Sequence, residues 1–150
     1  MTVTVQTEDF DVGAQLNMLR LASPNIGALV SFVGQVRDIN DGDSINTLTL
    51  EHYPGMTESA LLAIETEAKS RWDILDSVII HRVGTLKPLD QIVLVAVVSA
   101  HRGEAFKACE FIMDYLKTQA PFWKKEATKQ GERWVEAKVS DDLALKQWQK

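Results

Sequence analysis

The feature that most constrains the fold is an uninterrupted apolar run, "IVLVAVV", at residues 92–98. Successive side chains of a strand point to opposite faces of its sheet, and this run is apolar at both sets of positions. It therefore predicts a buried, central strand. The preceding apolar segment "SVIIHRVG" is separated from it only by the Pro-containing "TLKPLD". A connection of that length favours an antiparallel pair.

The remaining elements follow from apolar spacing and turn residues. The predicted strands are residues 2–7, residues 28–36 (also expected to be central), residues 47–53 and a final hairpin of "FWKKEAT" and "RWVEA" across "KQGE". The predicted helices are residues 9–21, a helix capped by Thr57 that buries Leu61, Ile64, Ala68 and Trp72, residues 103–118 stopped by Pro121, and a short terminal helix capped by Ser140. Residues 37–46, "RDINDGDSIN", are expected to be loop.

Neighbouring predicted strands are joined by short turns as often as by helices. We therefore predict one α+β domain spanning residues 1–150, with a mostly antiparallel sheet and flanking helices. A chain of 150 residues can bury a core of its own without disulfides or metals.

Charge and composition exclude several functions. The formal net charge of -5 argues against a nucleic-acid partner, so any anionic ligand must meet a local cationic cluster. No apolar run approaches the roughly 18 residues of a membrane span, and the start of the chain lacks a signal-peptide pattern. We expect a cytoplasmic protein without a membrane partner. The single cysteine, Cys109, lies on the apolar stripe of a helix and is expected to be buried and inert.

Charged residues follow two of the predicted strands. Arg37 comes directly after "SFVGQV", where it is either a binding residue or a solvated loop residue. His101 and Arg102 lie between the central strand and a helix start, where backbone N–H groups and a guanidinium favour phosphate or carboxylate. The alternative for this pair is a structural histidine beside a surface arginine.

A third cationic segment is "KTQAPFWKKE", residues 117–126. Lys117 is in the last turn of a helix, where it could simply compensate the helix dipole. Beyond the proline, alternation in an extended segment puts Lys124 on one face with Phe122 and Glu126, and Lys125 on the other. A lysine in a partly apolar pocket near other cations has a lowered pKa and can transfer protons near neutral pH. The alternative is a half-exposed hairpin with alternating charges.

The other histidines, His52 and His81, lie inside strand patterns and are expected to be packed or exposed rather than ligands. No spacing of His, Cys and carboxylates suggests a metal site, and no Gly-rich phosphate loop follows a strand. We therefore expect neither a metal nor a bound cofactor.

In this order, "FVGQVRD", "LTLEHYPGM", "SAHRGEAF", "FIMDYLKTQAPFWKKE" and "RWVEAK" resemble the large, catalytic subunit of molybdopterin synthase, from about residue 28 to about residue 140. The resemblance implies a sulfurtransferase that converts cyclic pyranopterin monophosphate into the dithiolene molybdopterin. It implies an α/β hammerhead fold, a homodimer within a heterotetramer, and a small ubiquitin-like partner whose C-terminal Gly-Gly thiocarboxylate carries the sulfur.

The resemblance also implies which residues form the site. The substrate-binding positions carried over are Gln35, Val36, Arg37, His101, Arg102, Lys117, Lys124, Lys125 and Glu126. Lys117 and Lys124 are the implied catalytic residues, Glu126 would orient a lysine, and the His101–Arg102 pair would come from the other subunit of the dimer.

Two positions depart from the pattern of the family. Gln35 stands where some relatives have a lysine, and Lys138 stands where an arginine is expected. Two other classes of function stay open on the residues alone. One is a non-catalytic module that binds an anion or the acidic tail of a partner, and the other is a purely structural dimer.

Overall fold

The computed structural model describes residues 2–40, 42–135 and 139–149. The strands are β1 (Thr2–Gln6), β2 (Ala28–Gln35), β3 (Ile39–Asn40), β4 (Asp43–His52), β5 (Ile74–Arg82), β6 (Gly84–Leu86), β7 (Gln91–Ser99), β8 (Phe122–Thr128) and β9 (Gly131–Val135). The helices are α1 (Val12–Arg20), α2 (Met56–Arg71), α3 (Arg102–Gln119) and α4 (Val139–Lys146). These elements form two mostly antiparallel sheets with flanking helices, which confirms the predicted α+β class.

The first sheet has the strand order β1–β5–β7–β2 and contains the apolar run in an interior strand, as predicted. Strands β5 and β7 pair antiparallel, also as predicted, and β1 pairs parallel with β5. On one face of β7, Val93, Val95 and Val97 pack in a core with residues of α2 and α3. On the other face, alternate residues pack in a second core with Leu19 of α1. Helices on both faces explain why β7 is apolar throughout.

The strand β2 lies at an edge of this sheet, so its predicted central position is wrong. Its apolar composition has another cause: Val30 packs into the core shared with α2 and α3, whereas Leu29 and Val33 pack into the core shared with α1. An edge strand that is covered on both faces has the same sequence pattern as a central one. Phe32, at 40% exposure, shows that the cover is incomplete.

The second sheet has the order β3–β4–β8–β9, with β6 also paired to β4. The β8–β9 hairpin is the predicted one, but two regions predicted to be connections contain strands. Residues 37–46 include β3 and the first residues of β4, around Gly42, whose φ of +82° favours glycine. The strand β6 takes up the start of "TLKPLD" and leads the chain from one sheet to the other.

The two long helices bury the predicted faces, but the predicted cap of α2 is wrong. The helix begins at Met56 after Gly55, and the carboxylate of Glu58 accepts a hydrogen bond from the Gly55 N–H at 3.3 Å. Thr57 is instead fully buried inside the first turn. Its hydroxyl accepts from the Tyr53 N–H and donates to the Pro121 carbonyl, both at 3.0 Å. It thereby ties the start of α2 to the corner between α3 and β8.

We expect Thr57→Val to lower the free energy of unfolding by about 1–3 kcal/mol, because the part-buried Pro121 carbonyl loses its donor and the Tyr53 N–H loses its acceptor without a change in side-chain shape. Urea unfolding followed by circular dichroism measures this. Thr118→Val is the matched control, since the Thr118 hydroxyl only bonds back to Asp114 within its own helix. Equal effects of the two substitutions would refute the role given to the Thr57 hydroxyl.

The terminal helix and the buried cysteine were both predicted. The helix α4 begins at Val139, one residue before the predicted cap Ser140, and Lys138 lies outside the described residues. Cys109 is buried as expected, and burial raises the pKa of its thiol to about 12. Within the described ranges, no helix is both long enough and apolar enough to span a bilayer.

Candidate active site

A cavity of about 310 Å³ lies where the end of β2, the end of α3 and the inner face of the second sheet meet. We call it the main cavity. Its lining residues are Gln35, Val36, Arg37, Asn40, Ile45, Leu48, Ile92, Lys117, Phe122, Lys124, Glu126, Val135 and Asp141. Three of the cationic residues singled out in the sequence, Arg37, Lys117 and Lys124, therefore share one cavity with an apolar floor.

Two structural features bring the two lysines together. The helix α3 ends at Gln119, and Pro121 turns the chain back into β8, so residues seven apart face the same space. Within β8, Lys124 lies directly opposite the buried Leu50 of β4. This is the face that also carries Phe122 and Glu126, as predicted from alternation.

Lys125 points to the other face of the sheet. It lies opposite Thr49, and its Nζ is 3.5 Å from a carboxylate oxygen of Glu132 and 5.5 Å from the ring centroid of Trp134. The strand period of two accounts for this separation from Lys124. The structure therefore does not bring Lys125 to the main cavity.

The carboxylate of Glu126 is only 4% exposed and is held by two donors. Arg133, directly opposite on β9, donates from Nε at 3.0 Å, and Asn40 donates through its side-chain amide. Arg37 in turn donates to Asn40 Oδ1 at 3.3 Å. These bonds make Glu126 an anchor for the Arg37 guanidinium, by way of Asn40. That Glu126 also orients a lysine stays a prediction.

Asn40 and Arg133 are the residues that sequence reasoning missed. Asn40 was assigned to a loop, although its segment contains the Asp-Gly pair typical of a two-residue hairpin turn. Arg133 was recognised only as part of a hairpin. Its guanidinium also donates to the backbone carbonyl of Asn40 at 3.0 Å. Arg133 therefore holds the backbone of Asn40 as well as the Glu126 carboxylate to which the Asn40 side chain bonds.

Gln35 and Val36 reach the cavity through an irregularity at the end of β2. The register with β7 shifts between Gly34 and Gln35. Val36 is then buried, and its backbone is held by Asp90 at 2.9 Å and Leu89 at 3.0 Å. These bonds fix the direction in which the chain delivers Arg37.

His101 and Arg102 lie far from the main cavity within the same chain. They are exposed at the start of α3, whereas Lys117 is near its end. Fifteen residues of helix separate Arg102 from Lys117 by about 22 Å. The structure of one chain therefore does not assemble this pair with the lysines.

A histidine that the sequence analysis set aside lies directly behind the lysines. His81 is 3% exposed, and its ring stacks on Phe122 with 3.8 Å between centroids and an angle of 17°. Burial, together with the charges of Lys124, Lys117 and His52, lowers the pKa of His81 from its ordinary 6.5 to about 3. The ring is therefore neutral in the folded protein at physiological pH.

A neutral buried histidine makes folding sensitive to acid. The unfolded chain binds a proton at His81 below pH 6.5 and the folded chain does not until about pH 3, so stability is lost as pH falls through that window. The loss is about 1.4 kcal/mol per pH unit. Between pH 7 and pH 5, we expect the free energy of unfolding of His81→Phe to fall by about 2 kcal/mol less than that of the unaltered protein. Urea unfolding at the two pH values measures the difference. Parallel pH profiles of the two proteins would contradict this.

The three cationic side chains that line the main cavity would suit a small anionic ligand. The family model described as "MoaE protein" matches residues 5–119. A protein named molybdopterin synthase catalytic subunit from Ralstonia nicotianae is 63% identical over 147 residues, which cover 98% of this chain and 84% of that protein. The protein of the same name from Pseudomonas aeruginosa is 54% identical over 149 residues, with 99% of each chain covered.

The fold leads to the same group of proteins. The solved structure of a molybdopterin biosynthesis MoaE protein from Burkholderia ambifaria superposes with a TM-score of 0.85 at 57% identity, covering 99% of this chain and 98% of that one. The chain belongs to the MoaE family.

Proposed function

We propose that this chain is the catalytic subunit of a molybdopterin synthase, a sulfurtransferase that converts cyclic pyranopterin monophosphate into molybdopterin in the cytoplasm. Relatives of that name match nearly the whole chain. The observation that supports the chemistry is the convergence of Lys117, Lys124 and Arg37 on one cavity. A cyclic phosphate monoester requires fixed cationic donors, and a guanidinium offers two parallel ones.

The lysines supply the proton and the positive charge of the reaction. The sulfur of a thiocarboxylate attacks a side-chain carbon of the pterin, and a C–S bond forms as a C–O bond of that carbon breaks and the phosphate ring opens. Water then hydrolyses the thioester that joins the two molecules, which leaves the sulfur on the pterin and a carboxylate on the small subunit. The departing oxygen needs a proton and the developing negative charge needs a nearby cation. Lys117, at the end of α3, would lie nearest the incoming thiocarboxylate, and Lys124 would stabilise the negative charge that develops on the substrate.

The sulfur comes from a partner rather than from this chain. Cys109, its single cysteine, is buried with a raised pKa and cannot act as a sulfur carrier in this fold. A small ubiquitin-like subunit with a C-terminal Gly-Gly thiocarboxylate would deliver the sulfur to the mouth of the main cavity. An extended diglycine tail has no side chains, so it can enter a narrow opening.

A second copy of the chain would complete the substrate site. His101 and Arg102 are exposed and about 22 Å from their own lysines, so they can serve only the cavity of another subunit. The outer edge of β2, which pairs with no other strand of the described residues, leads directly to Val36 and Arg37 and is a surface on which a homodimer can form. The complete assembly is then a heterotetramer with one small subunit at each end.

The experiment that tests this function is reconstitution from purified parts. The unaltered chain, thiocarboxylated small subunit and cyclic pyranopterin monophosphate should give molybdopterin, detected by its fluorescent oxidation product. An anion- or tail-binding module would retain the ligands and form no product. A structural dimer would bind neither of them.

A further inference from the structure

His81 joins the two sheets immediately behind the reacting lysines. It belongs to β5 of the first sheet, where it lies opposite Val93, and its ring stacks on Phe122 of β8 in the second sheet. Phe122 is two residues before Lys124 and shares its face. The imidazole therefore packs against the start of the strand that carries Lys124 and limits where that strand can lie.

His81 also borders a second, smaller cavity of about 60 Å³, which we call the rear cavity. Lys117 and Lys124 line the rear cavity as well as the main one, so the two spaces meet at the lysines. The volume exceeds the roughly 10–15 Å³ that one water molecule requires. Polar groups on its wall make it suitable for ordered water.

The hydrogen bonding of the ring determines which nitrogen faces this water. His81 Nδ1 lies 2.8 Å from the carbonyl oxygen of Arg82. A carbonyl only accepts, so the ring proton is on Nδ1 and Nε2 carries a lone pair. Burial is the main reason that the ring stays neutral, and electrostatic repulsion from Lys124 of β8, Lys117 of α3 and His52 of β4 acts in the same direction.

We propose that His81 is a positioning residue for sulfur transfer: its ring fixes the start of β8 through Phe122, and its Nε2 accepts a hydrogen bond from the Lys124 ammonium through water in the rear cavity. The proposal rests on the proposed function for its kinetic part only. A neutral acceptor behind the lysine holds the amine in place without adding a fourth cation to a cavity that already contains Arg37 and two lysines.

Two substitutions distinguish the effect of the Nε2 acceptor from the effect of the aromatic ring. His81→Phe keeps a flat ring against Phe122 and removes Nε2, whereas His81→Gln keeps an acceptor and removes the ring. Lys107→Ala is the control, because Lys107 is an exposed residue of α3 that is not among the residues lining either cavity. Each protein is assayed by steady-state kinetics and by NMR of labelled lysine and histidine side chains.

We expect His81→Phe to lower kcat about ten- to a hundredfold with KM within about twofold, since the loss concerns a hydrogen bond to a charged group that acts during reaction. The Nζ resonance of Lys124 should titrate at lower pH in this variant than in the unaltered protein. His81→Gln should recover part of the loss in kcat, and Lys107→Ala should change neither measurement.

An unchanged kcat and an unchanged Lys124 titration in folded His81→Phe would overturn the proposal. The unaltered protein supplies a test that needs no variant: the ¹⁵N spectrum of its histidines should show His81 neutral and protonated on Nδ1 at pH 6. A proton on Nε2, or a charged ring, would overturn the proposal even where the variants fail to fold. If the unaltered protein makes no molybdopterin, the proposed function fails, and the NMR measurements still decide the role of His81.

Discussion

Lys117→Ala is expected to lower the rate of molybdopterin formation about a thousandfold or more while leaving the fold intact. The side chain is exposed at the end of α3 and lines both cavities, so its loss removes a cation and a proton donor from the reacting centre and little packing. The measurement is single-turnover formation of product from thiocarboxylated small subunit and cyclic pyranopterin monophosphate, with thermal unfolding measured in parallel.

Two lysine substitutions are controls for this experiment. Lys107→Ala removes an exposed lysine from the same helix, and we expect it to leave the rate unchanged. Lys125→Ala removes a lysine that contacts Glu132 and Trp134 on the far face of the sheet, and we expect a smaller effect than at Lys117. Near-normal turnover by Lys117→Ala would refute the catalytic role. A loss at Lys125 equal to that at Lys117 would show that the far face contributes to the site.

Phe111→Ala is expected to lower the free energy of unfolding by about 3–5 kcal/mol, because it opens a large hole in the core. Phe111 is fully buried in the middle of α3 and has edge contacts with Trp72 at 5.3 Å and Trp148 at 5.6 Å between ring centroids. Trp148 follows α4, so the same residue attaches the end of the chain to the domain. Denaturant unfolding at equilibrium measures the change.

The control for this substitution lies on the same helix. Phe106 is 60% exposed, and Phe106→Ala is expected to change the free energy of unfolding by less than about 0.5 kcal/mol. Helix propensity would favour alanine at both positions, so it cannot produce a difference of this sign. Similar losses at the two positions would contradict the assignment of Phe111 to the core.

Apolar spacing predicted the long elements of this fold because their faces are buried by neighbours of the expected kind. The period of α3 and the two-sided apolar run of β7 both have that origin. The short strands β3 and β6 escaped prediction because two or three residues are too few to show a period. The edge position of β2 could not be predicted either, since helices that cover both faces make an edge strand look central.

The candidate site likewise contains residues that a local pattern placed and residues that only long-range contacts bring together. Alternation correctly placed Lys124 and Glu126 on one face and Lys125 on the other, because the strand period is a local property. The bonds from Asn40 and Arg133 to Glu126 join residues far apart in the chain, and no local pattern encodes them. The contact between His81 and Phe122 is of the same kind.

The amino-acid sequence by itself determined the α+β class, the inert cysteine and the two lysines either side of a proline break, since each depends on composition or on neighbours within a few residues. Only the tertiary structure decided that Arg37 joins those lysines and that a neutral His81 lies behind them. The physical reason is that a cavity is formed by the packing of separate elements, and the charge of a buried group is set by everything packed around it.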